Sequence, residues 1–409
     1  MKTLLDKPQA SASPKETSKV LPFLRENSCE GTAALLSYLE SATNQRFPIL
    51  TDTSLEASLF QGNIENFIGM SQIPTGVIGP LQVHGTSANG NYHIPLATTE
   101  GALVASYHRG SKACLLAGGI TAICLQEGVQ RSPVFKFENI KDLSLFVSWF
   151  LAEKENFQEI VRCTSRFARL TDTRVQIEGN HLTISFEYFT ADAAGQNMVT
   201  ICTEAICRFI IDSCPIKPSH WFIEGNSSGD KKATAAAFNH VRGKKVTAEI
   251  TLPAKIVSEV LKTSAELMDR YWRTSTMGVI QSGAIGAQGH YANGLAALFL
   301  ATGQDVACVA EAATGITRME LNKDGSLYAA VTLPNLIVGT IGGGTKLPTQ
   351  RECLEMMDCY GEGNSIKYAE ITAALVLAGE LSIAAALSAG QFTQAHQKFG
   401  RKKSLQNGN

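Results

Sequence analysis

The chain has 409 residues, 44% hydrophobic and 18% charged, enough for two or three domains with sizeable cores. Lys and Arg number 36 against 37 Asp and Glu, and a net charge of −1 excludes a broad basic face for nucleic acid or an anionic membrane. The 10 cysteines form no CxxC pair; Cys124, Cys163, Cys202, Cys207, Cys308 and Cys353 sit in apolar or helix-like runs, so reduced thiols are expected rather than disulfides, and no metal.

Residues 1 to about 15 are polar and read as an unstructured tail without a signal-peptide core. "GTAALLSYLESATNQRF" and "DTSLEASLFQG" have helical spacing and Ser, Thr or Asp caps, predicting a small helical region up to residue 60. "ENFIGMSQIPTGVIGPLQVHG" reads as an irregular connector followed by a strand. From 132 to 223 the texture changes. "SPVFKFE" alternates like a strand, and "IKDLSLFVSWFLAEKENFQEIVRCTSRF" is helical. "RVQIEG" and "NHLTISFEYFT" form a hairpin around Gly-Asn; "DAAGQNMVTICTEAICRFIIDS" is a second helix starting at Asp192, and "HWFIEG" is a closing strand. The order β-α-β-β-α-β predicts an inserted ferredoxin-like domain at 132–223. It divides a larger helix-rich domain, 61–131 and 224–392, in an α+β fold. "ITAALVLAGELSIAAALSAG" carries Glu380 in its middle and reads as a long buried central helix rather than a membrane span. The last residues, 393–409, lose periodicity and read as a mobile tail. A cytoplasmic protein without a membrane anchor is expected.

No GxGxxG follows a strand, and "GTIGGGTK" does not fit the phosphate-loop pattern. Four polar groups stand in runs of small residues. Glu100 lies in "PLATTEGALVAS", Lys231 in "GDKKATAAAF", Asp305 in "ATGQDVAC" and His396 in "TQAHQK". Each alone reads as readily as a surface acid, a surface lysine, an N-cap or an exposed histidine. Together they supply an acid, a cation, a bridging carboxylate and a histidine. The small neighbours of Glu100 suggest a tight, poorly hydrated pocket in which a carboxyl group keeps its proton.

These motifs, with "ENFIGMSQIPTGVIGPL", "TSRFARL", "DAAGQNM", "HYANGLAALFLATGQD", "VGTIGGGTKL" and "LAGELSIAAALSAG", occur in order from about residue 50 to 403. In them the chain resembles the 3-hydroxy-3-methylglutaryl-coenzyme A (HMG-CoA) reductases, in the class that includes the eukaryotic catalytic domain. The resemblance implies NADPH-dependent conversion of HMG-CoA to mevalonate and CoA by two hydride transfers. It implies catalytic roles for Glu100 (proton donor), Lys231 (oxyanion stabiliser), Asp305 (between the two) and His396 (protonating the departing CoA thiolate from a closing flap). It places NADPH against Ser165 and Arg166, Asp192, Gln196 and Asn197, and Gly342 and Gly343. It places CoA against Arg109 and Lys112, and the acyl group against Arg131, Lys232 and Asn293. It implies a homodimer as the minimal unit, built on Glu65 to Gly69, or a homotetramer, with active sites between subunits.

Some positions depart from the pattern. Glu224 stands where the family has serine; Thr274, or Arg273 with a shifted gap, stands where it has a pocket lysine. A carboxylate there would repel an acyl carboxylate unless Arg131 or Arg273 compensates. Ala395 replaces the serine usual before the histidine, and Lys402 lies where animal enzymes carry a regulatory serine. Two alternatives follow: the same thioester reduction on another acyl-CoA or acyl-carrier substrate, or a catalytically silent homologue that binds CoA or nucleotide.

Overall fold

The computed structural model describes residues 26–390. His396, Ala395 and Lys402 lie outside them. The chain divides into two compact units, meeting in sequence at Gln72 and Ile73.

In the first unit, helix α1 (Cys29–Thr43) starts where the Ser28 hydroxyl accepts from the Gly31 amide at 3.0 Å, and ends at Asn44 in a left-handed conformation. The second helix expected at 52–62 is only a 3-10 turn, Ala57–Phe60. Two aromatics explain it. Phe60 is buried and stacks on Phe67 at 4.6 Å, so the apolar face packs through one short turn and the "ENFIG" loop.

The second unit is mixed α and β. Strands β1 (Thr75–Gly85) and β2 (Asn89–Ala97) form an antiparallel pair, followed by helix α2 (Leu103–Leu116). Strand β3 (Ile120–Arg131) then pairs parallel with β1. Next come β4 (Val134–Lys136), α3 (Ile140–Ala152), α4 (Lys154–Thr164), β5 (Arg169–Glu178), β6 (His181–Phe189), α5 (Gln196–Ser213) and β7 (His220–Phe222). The long periodic run at 140–167 is thus two helices, broken at Glu153. Strands run β7-β4-β6, with β5 on β6, all antiparallel, and β5 and β6 turn through Gly179 and Asn180. Phe135, Phe137, Phe146, Phe150, Phe157 and Phe186 are fully buried, with successive rings about 5–6 Å apart, the spacing of edge-to-face and tilted pairs. That aromatic core is why a short alternating strand such as β4 holds its place.

Strand β8 (Gly243–Leu252) pairs with β3. After the short α6 (Ala254–Ile256) come α7 (Ala265–Ser282), α8 (Tyr291–Thr302), the single turn α9 (Val309–Ala312), β9 (Ile316–Leu321), β10 (Leu327–Leu336) and α10 (Pro348–Met356). Strand order continues β3-β8-β10-β9, so β3 carries one sheet into the other: its first part pairs with β8, its last three residues with β6.

Helix α11 (Ser365–Ser388) is the long apolar helix of the sequence reading, and nearly every residue to Ala386 is buried. It is long and apolar enough to cross a membrane, yet 83% of that window is buried inside the unit. It packs on α2 through glycine: a Cβ on Gly110 would collide with the Ala378 carbonyl, and one on Gly379 with the Tyr107 ring. Two buried carboxylates sit on it. Glu370 accepts from the Thr86, Ser87 and Ala88 amides of the β1–β2 turn, and Glu380 from the Gly289 and His290 amides.

Candidate active site

The polar residues collect in two clusters. The first surrounds Lys231. Its Nζ lies 3.1 Å from Asp305 Oδ2, both side chains nearly half exposed (46% and 42%). The Asp305 bond raises the Lys231 pKa above its ordinary value, against a smaller lowering from burial. Asp305 also caps the 3-10 turn Val306–Cys308, its Oδ1 accepting from the Ala307 amide at 3.0 Å, so the cap and the cation partner are one residue.

Lys231 has a left-handed backbone, φ +56. What holds it there is buried charge. Its amide donates to Glu311 Oε1 at 3.2 Å; Glu311 Oε2 and Arg242 Nε are 2.6 Å apart, at 0% and 1% exposure. Arg242 Nη2 binds Asp230 Oδ1 at 2.6 Å, and Arg131 Nη1 binds Asp230 Oδ2 at 3.4 Å and Glu224 Oε2 at 3.2 Å. Burial pushes the Glu311 carboxyl up in pKa, with Arg242 pulling it back. A buried ion pair of this kind is weak evidence of net stability, but removing one partner leaves an uncompensated charge.

Three glycine-rich segments meet beside this cluster. The Thr340 amide donates to the Asp192 carbonyl at 2.9 Å; Gln304 and Gly339 exchange two bonds at 3.0 and 2.9 Å; Gln196 Nε2 donates to Cys308 Sγ at 2.9 Å. Gly303 and Gly344 approach so closely that a Cβ on either would strike the other's carbonyl. Gly342 and Gly343, both with positive φ, face open space.

The second cluster lines a cavity of about 500 Å³ between α2, α8 and α11. Glu100, Ser106, Arg109, His290 and Asn293 provide its polar lining, with Leu103, Ile383 and Leu387 among its apolar walls. Asn293 Nδ2 donates to both Glu100 oxygens, at 3.2 and 3.1 Å. Arg109 donates to the Ser382 hydroxyl and carbonyl at 3.0 and 2.6 Å, and burial lowers its pKa. His290 Nδ1 sits 3.0 Å from buried Glu380, and its ring stacks on Tyr107.

Several expectations are corrected here. The dry pocket around Glu100 is not formed by the chain itself: Thr99, Glu100 and Gly101 are exposed, because this turn lies at the rim before α2 rather than beneath it. Among the described residues no ion pair or hydrogen bond joins Glu100 to Lys231 or Asp305. Asp192 does not start its own helix. Its carboxylate accepts from the Gly363 and Ser365 amides, at the start of α11, at 2.9 and 3.1 Å, which holds its pKa below the ordinary value although burial pushes the other way. Arg273 pairs with Asp269 one turn earlier on α7, and the Thr274 hydroxyl donates to the Arg270 carbonyl. Neither reaches Glu224; Arg131 does.

Apart from Lys232, which bonds Asp230, the other expected residues share no hydrogen bond or ion pair with either cluster among the described residues. Ser165 Oγ accepts from the Phe167 and Ala168 amides at 3.3 and 3.1 Å. Arg166, Lys112 and Asn197 are exposed. Lys232 Nζ donates to the Asp230 carbonyl at 2.9 Å. Sequence reasoning missed Arg242, Glu311, Gln304, His290 and Glu380 as positioning groups. Glu311 and Glu380 carried a signal, a lone carboxylate in an apolar run; Arg242, inside "HVRGKK", looked like solvated charge.

Comparison with known proteins follows the same lines. A family model described as hydroxymethylglutaryl-coenzyme A reductase matches residues 32–401. A 3-hydroxy-3-methylglutaryl-coenzyme A reductase of Methanocaldococcus jannaschii is 40% identical over 372 residues, 89% of this chain and 91% of that one. One from Pyrococcus horikoshii is 44% identical over 347 residues, 83% of this chain and 84% of that one. "3-hydroxy-3-methylglutaryl-coenzyme A reductase 1" of Dictyostelium discoideum is 36% identical over 408 residues, 95% of this chain and 72% of that one. A solved class II reductase of Streptococcus pneumoniae, bound to NADPH in open conformations, has a TM-score of 0.66 at 18% identity, covering 88% of this chain and 93% of that one; at that identity the likeness is one of fold. The chain is an oxidoreductase. It belongs to the hydroxymethylglutaryl-coenzyme A reductase family.

Proposed function

We propose that this chain reduces HMG-CoA to mevalonate and free CoA, using two equivalents of NADPH. The observation that carries the reading is the Lys231–Asp305 pair, set beside three converging glycine-rich segments in a chain of this family. The residues present fit the cofactor. Gly342 and Gly343 leave space for a ligand to approach the backbone, beside Gln196 and Asp192, and Arg166 offers an exposed guanidinium suited to a 2′-phosphate. NADPH, when bound, supplies both hydrides.

The chain's own groups do the rest. The Lys231 ammonium, kept protonated by Asp305, stabilises the oxyanion that develops at the thioester carbonyl and again at the aldehyde. Glu100 delivers a proton to that oxygen. His396 protonates the CoA thiolate as it leaves. Arg131 receives the free carboxylate of the acyl group, with Lys232 and Asn293 beside it; Arg109 and Lys112 receive CoA phosphates. No hydrogen bond or ion pair joins Glu100 to Lys231 among the described residues of one chain, so we read the complete site as shared: a second copy brings its Glu100 to this Lys231 and covers both from water. A homodimer is then the minimal unit, with Glu65 to Gly69 as a contact element.

We read residues 132–223 as the small cofactor domain, supported by the β7-β4-β6-β5 order of its sheet, and 61–131 with 224–392 as the large domain. The class that includes the eukaryotic catalytic domain is favoured by 36% identity to the Dictyostelium protein, against 18% to the class II structures. We place the protein in the cytoplasm. NADPH oxidation with purified protein and HMG-CoA tests the activity: loss of absorbance with mevalonate formed supports it, and silence with HMG-CoA removes it.

A further inference from the structure

Arg131 is spoken for. Its side chain is 9% exposed, its Nη1 meets Glu224 at 3.2 Å and Asp230 at 3.4 Å, and its Nε is buried without a hydrogen-bond partner among the described residues. Glu224 is held by more than charge. Oε2 also accepts from the Ser132 amide at 3.3 Å, and Oε1 from the Ser227 amide at 3.2 Å. The carboxylate is thus seated on backbone amides just after β3 and in the loop after β7, and is 22% exposed. The count across that cluster is even. Arg131, Arg242, Lys231 and Lys232 face Glu224, Asp230, Glu311 and Asp305, linked pair by pair or through the backbone of 230–231. Of these four cations, among the described residues only exposed Lys232, bonded to a backbone carbonyl, lacks a carboxylate partner; Arg131, the group read as receiving the acyl carboxylate, is already engaged by two. Asp230 and Glu311 cannot yield, because they pair with fully buried Arg242. Glu224 can: among the described residues its one ion-pair partner is Arg131, and its loss frees one positive charge there.

We propose that Glu224 determines acyl-group specificity by standing in for a substrate carboxylate on Arg131. An acyl group with a free carboxylate has to displace it; one without a carboxylate does not. This rests on the reading above, in which Arg131 faces the acyl end. Like charges brought into one partly buried site repel strongly enough to change affinity by about tenfold or more.

Steady-state kinetics of the native chain, Glu224→Gln and Glu224→Asp test it, with HMG-CoA and with 3-hydroxybutyryl-CoA, which lacks the carboxylate. The expected result is a KM for HMG-CoA about tenfold lower in Glu224→Gln. Glu224→Asp, which keeps the charge, should stay near the native value, and the KM for 3-hydroxybutyryl-CoA should not respond to Glu224→Gln. An unchanged or higher HMG-CoA KM in Glu224→Gln, or an equal change for both thioesters, overturns the inference. If the native chain turns over no HMG-CoA, the activity reading fails by itself. Calorimetric binding of 3-hydroxy-3-methylglutarate then decides the specificity: tighter binding to Glu224→Gln supports it, equal or weaker binding sinks it. Glu224→Ser repeats the test should the amide variant fail to fold.

Discussion

A lysine forced into a left-handed backbone conformation needs something to keep it there. For Lys231 that is the Glu311 carboxylate on its amide, itself clamped by Arg242. Position and chemistry therefore separate under mutation. Lys231→Ala removes the ammonium from a half-exposed pair, and such pairs contribute about 0–1 kcal/mol to stability. Its kcat should fall by about 10²–10³-fold or more, as for an oxyanion donor, with an unchanged melting curve. Glu311→Gln removes the fully buried one of Arg242's two carboxylate partners and should destabilise by about 3–5 kcal/mol, read from the urea midpoint. Normal stability in that variant would mean that the buried pair does not anchor the loop. Glu380 sets an acid limit. Burial pushes its carboxyl pKa up, but His290 and the Gly289 and His290 amides more than offset this, holding it below its ordinary 4.5. A depressed folded pKa gives stability that is present above the unfolded value and is lost as pH falls through the folded one. The stability gap between native and Glu380→Gln protein should therefore be widest near neutrality and close as pH drops below about 4.5.

At the scale of elements, the close approach of α2 and α11 is set by small side chains. Gly110 leaves no space for a methyl group before the Ala378 carbonyl. Gly110→Ala should push the helices apart, destabilise by about 1–3 kcal/mol and widen the cavity between them. Thermal melting reads the first effect, and a native-like transition would show that the helices can shift at no penalty. Helix α11 was legible as a run of Ala, Leu and Ser with helical period, whereas α2 was not read as an element. Their pairing was not legible, because periodicity reports a buried face and not what covers it. The break at Glu153 was equally hidden: Lys154 resumes the same period, and only packing of Phe150 on Phe157 shows where the axis turns.

For the whole molecule, the lack of any bond between Glu100 and Lys231 among the described residues makes subunit sharing a measurable property. If each site takes Glu100 from one copy and Lys231 from the other, Glu100→Gln and Lys231→Ala proteins are each inactive alone. Unfolded and refolded together, they form mixed dimers with one intact site, and activity should return to about a quarter of native by random pairing. Absence of any recovery, with mixed dimers shown to form, would place the whole site within one chain.

Residue types and their local order were enough to name the family, the long central helix, the β5–β6 hairpin and the groups able to do carbonyl chemistry, because these depend on spacing along the chain. Tertiary structure alone decided that Asp192 caps a helix more than 170 residues away, that Glu224 rests on Arg131, and that Glu100 is exposed beside Asn293. Charge pairing and desolvation depend on what the fold brings alongside from distant segments, and the neighbours of a residue in sequence do not report that.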